Sequence, residues 1–321
     1  MMEVPAKKRI GELDFLKCVF ILLMVVFHLV YIGDKYPYAK DLVYTFHIPA
    51  FLLISGYLMP VEKKAGAFMR SMFWIFIPYL VMESGYVLMS SILPVREKID
   101  NLTLDLFMEK IFLSPMGPYW YLHTLILCGV GYYVVTKLMK GVTETLPMLI
   151  TLSLVYVGLS YGVGLILPSS ALYFMLGCIL KQVDIPFLSF FRGSWWSVAP
   201  FILLTVYPEN LERFTLAGIL ITYLAVSLVL AIYKLLPHCL QTIGCYIGSH
   251  SLLLLVFSPL FTISVKPLIP LFAFDSTGMV FLFVALSITV VGCFCITWVM
   301  DKMGISRFFF GKERVLFPYD R

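Results

Sequence analysis

The chain has 321 residues, of which 60% are hydrophobic and 13% are charged, whereas soluble domains carry roughly 25% charged and about 45–50% apolar residues. This composition excludes a soluble globular protein, because too few polar groups are available to cover a surface in water. The net charge of +5 requires no nucleic-acid partner, since basic residues on one side of a membrane would face anionic lipid.

Long apolar runs follow one another along the chain, separated by charged or Pro/Gly-rich segments. A helix needs about 20 apolar residues to cross a bilayer, and backbone polar groups in hydrocarbon must be bonded within the helix. The sequence therefore predicts an all-α, polytopic integral membrane protein in which residues 1–321 form a single membrane domain. The ten predicted spans lie near residues 13–33, 42–60, 68–93, 118–138, 145–166, 168–182, 194–208, 214–236, 250–271 and 278–300.

The distribution of basic residues orients these spans. With the N-terminus in the cytoplasm, sixteen of the 24 Lys and Arg residues lie in inner segments, seven lie in outer segments, and Lys17 lies within the first span. This bias predicts a multi-pass protein of the cell membrane, the cytoplasmic membrane if it is bacterial, with both termini cytoplasmic. Residues 94–117, the longest segment between spans, fit either a short helix on the outer interface or a solvated loop.

Three histidines lie at one depth within the predicted spans. His28 lies five residues before the outer end of the first span, and His47 and His123 lie five residues after the outer starts of the second and fourth. At a rise of about 1.5 Å per residue, each imidazole is roughly 7–8 Å below the outer boundary, so the three could line one cavity. Ionisable residues within spans are costly and indicate functional sites, and histidine titrates near neutral pH, as a general base requires. Each can alternatively bond a group on the next helix and serve packing alone.

Charged residues also mark the inner ends of the spans. Asp14 and Lys17 are three residues apart on one helix face, where they can form a structural ion pair. Arg70 opens the third span at the same inner level. Basic groups at an inner mouth can bind a phosphate-rich cytosolic ligand, although Lys17 can equally extend its ammonium group to the membrane surface.

Aromatic and small residues within the spans admit two interpretations. Trp120 and Tyr121 fit either an interfacial aromatic belt or a platform that stacks on a sugar ring. Gly56 and Gly177 favour close helix packing. The seven cysteines are scattered without the spacing of metal ligands, so no metal site is expected.

Two segments together resemble the membrane-bound acyltransferase 3 family. Residues 9–17, RIGELDFLK, followed by His28, are similar to the family's opening Arg, Leu-Asp and basic residue with a histidine near the far end of the helix. Residues 46–58, FHIPAFLLISGYL, are similar to its second-span signature in the branch where a histidine precedes the proline. Weaker matches continue along the chain at Arg70 with Ile77-Pro78-Tyr79, at Trp120-Tyr121-Leu122, at Leu176-Gly177 and at residues 247–252, IGSHSL.

The resemblance implies a ten-span protein of the type without an extracytoplasmic domain. It implies transfer of an acyl group, most often acetyl, from cytosolic acyl-coenzyme A to a hydroxyl of a cell-surface or lipid-linked carbohydrate. Within it, His28 would be the general base, and His47 or His123 would donate to the oxyanion or position the sugar. An acyl-histidine relay is an alternative to direct transfer.

The remaining residues can be assigned on the same basis. We expect Trp120, Tyr121 and His123 to contact the carbohydrate, and Arg9, Lys17 and Arg70 to bind the phosphates of the acyl-coenzyme A donor. We expect Asp14 to have a structural or donor-side role, because it is about half a membrane from His28.

Two departures from the family pattern concern substrate binding. By the resemblance, Phe73 stands where many members have a second arginine, and Ser258 stands where many have a histidine. Together the two departures bear on the details of donor binding and on the class of acceptor. The main alternative is a proton-coupled exporter of a glycan or lipid-linked sugar, and a passive receptor or scaffold is a third. Nothing in the sequence indicates an oligomeric state.

Overall fold

A computed structural model describes residues 9–92, 98–140 and 144–316, and these residues form helices and connecting loops without a strand. The predicted all-α class is therefore confirmed. Short 3₁₀ segments at Trp195–Ser197, Pro208–Leu211 and Lys266–Phe272 and a π-turn at Gly158–Gly162 lie between the α-helices. The α-helices are α1 Gly11–His28, α2 Val30–Lys35, α3 Pro37–Leu58, α4 Ala65–Ile92, α5 Leu104–Phe112, α6 Trp120–Leu138, α7 Thr145–Val157, α8 Pro168–Gln182, α9 Phe187–Phe190, α10 Val198–Thr205, α11 Leu216–Leu235, α12 His238–Ser249, α13 Ser251–Ser264, α14 Met279–Lys302 and α15 Ser306–Phe309.

Six helical segments in the described part of the chain are long and apolar enough to cross a membrane, and a seventh span results if α12 and α13 are taken together. The protein is thus a multi-pass membrane protein. Judged by length and composition, the described helices thus give fewer spans than the ten that the sequence predicts. The first predicted span carries three charged residues in α1, and the sixth has only the 15 residues of α8.

Two predicted spans do not coincide with one continuous helix. The first, near 13–33, is broken at Leu29, where the backbone is extended and α1 gives way to the six-residue α2. The ninth, near 250–271, omits α12, which joins α13 through a bend of 78° at His250. Hydropathy shows where apolar chain is long enough to span, but not where a helix bends.

The segment between the third and fourth predicted spans contains a helix, α5, so the loop alternative is wrong for this part of it. The Thr103 hydroxyl caps the helix by accepting a hydrogen bond from Leu106 N at 3.2 Å. Tyr79 of α4 donates its hydroxyl to Ile111 O and holds α5 against the bundle.

Two pairs of helices approach each other closely at glycine residues, and Gly56 and Gly177 are the two glycines for which close helix packing was predicted. α3 crosses α8 at Gly56 and Gly177, where an added Cβ would overlap Phe174 O and Leu53 O respectively. α12 crosses α1 at Gly248, where a Cβ would overlap Asp14 O. Only glycine permits these approaches, so both crossings fix the position of the helices that carry Lys17 and the histidines.

Pro49 lies within α3, two residues after His47. A proline cannot donate the intrahelical hydrogen bond, so the carbonyl of Thr45, four residues earlier, loses its usual partner. The hydroxyl of Thr222 on α11 donates to Thr45 O at 3.4 Å. The helix is thereby supported from outside beside the histidine.

Candidate functional site

A cavity of about 210 Å³, here called the central cavity, lies between α1, α3, α6 and α13. Its wall is mostly apolar, and its few polar groups converge from different helices, which is typical of a small-molecule site. The polar and aromatic residues that line it are Lys17, His28, His47, Phe51, Ser55, Trp120, Tyr121 and Ser251.

His28 and His47 are fixed in the same way. The Nδ1 atom of His28 lies 2.7 Å from Met24 O, and that of His47 lies 2.7 Å from Val43 O. Because a carbonyl only accepts, Nδ1 carries the hydrogen in both rings, and each neutral ring has its lone pair on Nε2. The geometry therefore presents two imidazoles whose Nε2 atoms can each accept a proton.

The environments of the two rings differ. His47 is fully buried, and its Nε2 has no hydrogen-bond partner among the described residues. His28 is half-buried and also lines a second cavity. The Tyr44 ring lies beside both, with its centroid 5.1 Å from the His47 ring and 6.3 Å from the His28 ring.

The predicted substrate-contacting residues do not all lie together. Trp120 and Tyr121 line the central cavity, and the Tyr121 hydroxyl lies 2.8 Å from Ser55 Oγ. His123 does not line it: its Nε2–H donates to Phe112 O at 3.0 Å and its ring lies 5.8 Å from that of Tyr79. The expectation of three histidines in one cavity is wrong for His123, because equal depth does not place a side chain on the same face of its helix.

Lys17 reaches the central cavity from the opposite end to His28. Its ammonium group lies 2.5 Å from a carboxylate oxygen of Asp14, whose side chain is 8% exposed. The carboxylate thus holds a cation at the wall of an otherwise apolar cavity.

A second cavity of about 400 Å³, the cationic cavity, lies beside the N-terminal end of α1. Arg9, Arg70 and Lys312 line it together with His250. Ile75 and Leu252 line both this cavity and the central cavity, so two aliphatic side chains are the shared wall. Arg9 and Arg70 therefore lie together, and Lys17 lies in the adjoining cavity.

The segment after α15 closes one side of the cationic cavity. The Asp301 carboxylate accepts hydrogen bonds from Val315 N at 3.0 Å and Leu316 N at 3.0 Å, and from Ser306 Oγ at 2.5 Å. His250 bonds Val315 O at 3.2 Å from the other side. Lys312 is held over the cavity by these anchors.

We expect Asp301→Ala to release this segment, because hydrogen bonds to a charged group contribute about 1.5–3 kcal/mol each. Trypsin should cleave at Lys312 and Arg314 at least about tenfold faster than in wild type, since cleavage follows the open population. Glu109→Ala is the control, as Glu109 is an exposed carboxylate of α5 and its replacement leaves the sequence around Lys312 and Arg314 unchanged. Equal cleavage of Asp301→Ala and wild type would show that Asp301 does not anchor the segment.

A third cavity of about 200 Å³, the outer cavity, lies at the C-terminal end of α1 and shares His28 and Pro118 with the central cavity. The loop that carries Pro118 is fixed by Glu83, whose carboxylate accepts from Met116 N at 2.6 Å. His28 therefore stands where the central and outer cavities meet.

The family model described as an acyltransferase domain matches residues 10–298, most of the chain. The chain belongs to the acyltransferase 3 family. No match was found among curated proteins or among solved structures. Membership supports acyltransferase activity in general.

His28 and His47 supply an acyltransferase with two proton acceptors in the apolar central cavity, which adjoins the more polar cationic and outer cavities.

The sequence analysis did not identify Lys312, Asp301 and His250 as contributors to the cationic cavity. His250 falls in residues 247–252, which match the family, but nothing in the local pattern indicates that it contacts the C-terminal segment. Lys312 and Asp301 carry no local signal, because their roles arise from tertiary contacts alone.

Proposed function

We propose that the protein transfers an acyl group, most often acetyl, from cytosolic acyl-coenzyme A to a hydroxyl of a cell-surface or lipid-linked carbohydrate. One observation carries the proposal: two histidines with free Nε2 lone pairs line a cavity that adjoins a cationic cavity on one side and an outer cavity on the other. A donor rich in phosphate and a polar acceptor can approach the same imidazoles from opposite ends.

The donor is proposed to enter through the cationic cavity. Arg9, Arg70 and Lys312 would pair with its phosphates through charge-assisted hydrogen bonds. The thioester arm would pass Ile75 and Leu252 into the central cavity, where an apolar wall excludes water that would otherwise hydrolyse it.

The acceptor hydroxyl is proposed to meet the thioester beside His28. His28 Nε2 takes the hydroxyl proton as the oxygen attacks the thioester carbonyl, so that a C–O bond forms and the carbonyl oxygen becomes an oxyanion. Collapse of this intermediate breaks the C–S bond. The leaving thiolate then takes the proton that His28 had accepted from the hydroxyl. The Tyr121 hydroxyl, which lines the same cavity, is the proposed donor for the oxyanion.

The tautomer of His47 decides between the two roles expected for it, donation to the oxyanion and positioning of the sugar. Neutral His47 has no hydrogen on Nε2 and cannot donate to the oxyanion, but it can accept a hydrogen bond from a hydroxyl of the sugar. We therefore assign His47 to positioning the acceptor, with Trp120 as an aromatic surface of the same cavity.

The donor assignment predicts that Arg70→Gln raises the KM for acetyl-coenzyme A about tenfold with a smaller change in kcat, because it removes a charge that binds the donor remote from the reacting carbon. The defect should be smaller at high salt, where the phosphates are screened. Arg307→Gln is the matched control, since Arg307 is exposed and does not line the cationic cavity. An unchanged KM in Arg70→Gln would exclude this route for the donor.

The proposal itself is tested by following release of free coenzyme A from membranes that contain the protein. An acyltransferase releases the thiol when acceptor is added, whereas an exporter or a scaffold consumes no thioester. Acceptor-dependent thiol release supports the proposal, and its absence with all donors and acceptors tested favours the exporter.

A further inference from the structure

The outer cavity contains two ammonium groups that the proposed chemistry does not use. Lys40 and Lys266 both line it, and no carboxylate does among the described residues of its wall. Neither lysine takes part in a salt bridge within the described ranges. The cavity therefore carries positive charge without a protein counter-ion.

Lys40 is held in place by its surroundings. Its aliphatic stem passes beside Gly33, and its ammonium group lies 5.7 Å from the centroid of the Tyr44 ring. The same Tyr44 ring lies beside His28. Lys266 is the first residue of the 3₁₀ segment Lys266–Phe272 and lines the same cavity. A ligand between the two lysines would be within the cavity that His28 borders.

The neighbouring cavity has the opposite character. It measures about 580 Å³, adjoins the outer cavity at Tyr44, and is lined by Asp41, Glu209 and Glu212 with Arg213. Its excess of carboxylates repels an anion, while the two lysines attract one. An anionic ligand is thus directed to the side on which His28 lies.

From this charge pattern we propose that the outer cavity binds an anionic group of the carbohydrate acceptor. Lys40 and Lys266 pair with this group while a hydroxyl of the same acceptor reaches His28. The inference rests on the proposed acyl transfer and names the acceptor class: a sugar that bears a carboxylate or a phosphate. A uronate supplies the first group, and a phosphorylated or lipid-phosphate-linked sugar supplies the second.

The neutral hydroxyls of the outer cavity fit the same ligand. Ser258 is 2% exposed and lines the cavity with Thr262, Tyr44 and Tyr86. Hydroxyl groups can bond either the anion or the hydroxyls of the sugar. Because these hydroxyls are neutral, the fixed charge at this site comes from the lysines.

The test compares acceptors that differ only in charge. Detergent-purified protein would be titrated by calorimetry with trigalacturonate, its methyl ester, maltotriose phosphate and maltotriose, and the same acceptors would be used for transfer from labelled acetyl-coenzyme A. We expect each anionic sugar to bind at least about tenfold more tightly than its neutral counterpart, and to show the same preference in kcat/KM.

Variants assign the preference to the two lysines. Lys40→Gln with Lys266→Gln should reduce the anionic-to-neutral ratio to about one, and Lys40→Arg with Lys266→Arg should retain it, which controls for folding. Lys35→Gln should keep the wild-type ratio, because Lys35 lies 5.6 Å over the Tyr31 ring in the same manner but does not line the cavity.

The outcomes separate this inference from the proposed function. Preference for trigalacturonate alone indicates a uronate, preference for the phosphate alone indicates a phosphorylated sugar, and preference for both indicates recognition of charge; all three support the inference. Equal use of charged and neutral acceptors, or a charge preference that survives the double glutamine variant, overturns it while acyl transfer stands. Absence of thioester consumption with every acceptor overturns the proposed function and the inference with it.

Discussion

His28→Ala should lower acyl transfer by about 10²–10⁴-fold, the usual contribution of a general base, at an unchanged amount of protein in the membrane. The residue is half-buried where the central and outer cavities meet, and its Nδ1 is committed to Met24 O, so Nε2 alone can accept the hydroxyl proton. Incorporation of label from acetyl-coenzyme A, normalised to protein amount, measures the effect.

Two further variants separate base catalysis from a loss of shape. His28→Gln restores much of the volume but cannot take up a proton, so its activity should be as low as that of the alanine variant. His238→Ala is the control, because His238 is exposed at the start of α12 and lines none of the cavities described above. Transfer by His28→Gln at near the wild-type rate would contradict the assignment of His28 as base.

Gly177→Ala should destabilise the protein by about 1–3 kcal/mol, the range for overpacking a well-packed contact. The added methyl group would overlap Leu53 O and crowd Tyr57 N, which belong to the backbone of α3 and cannot rotate away. α3 and α8 must then separate, and His47 moves with α3. A lower thermal midpoint in detergent, together with reduced transfer, is the expected result.

Gly85→Ala supplies a matched comparison for this effect. Gly85 lies within α4, and an added Cβ there meets nothing within 4 Å. Alanine is favoured over glycine in a helix by about 1 kcal/mol, so this variant should be as stable as wild type or more so. If both variants had the same midpoint, close approach of α3 and α8 would not be a stabilising feature.

Much of the helical framework follows from the sequence, because apolar length and the demand for internal backbone bonding leave few alternatives. The break after His28 does not, since Leu29 is an ordinary apolar residue whose extended backbone is set by tertiary packing. The bend at His250 lies in the polar stretch Gly248-Ser249-His250-Ser251, which marks an interruption of the apolar pattern but does not give the angle of the bend.

The site was partly predictable for a related reason. Depth along a span can be counted from its ends, and this places His28 and His47 at one level. The direction in which a side chain points depends on how its helix is rotated against its neighbours, which residue counting does not give. His123 therefore contacts α5 and Tyr79 instead of lining the central cavity. The hydrogen bonds of Asp301 to the segment after α15, and the placement of Lys40 and Lys266 in the outer cavity, depend on contacts between distant segments. No local sequence pattern predicts either of them.

The most direct test of acyl transfer follows the thioester. Membranes containing wild-type protein would receive acetyl-coenzyme A labelled in the acetyl group together with a carbohydrate acceptor, and free thiol and labelled sugar would be measured in the same sample. We expect free thiol to appear only when acceptor is present, and in an amount equal to that of the acetylated sugar. Movement of the sugar across the membrane without loss of thioester would contradict it and identify an exporter.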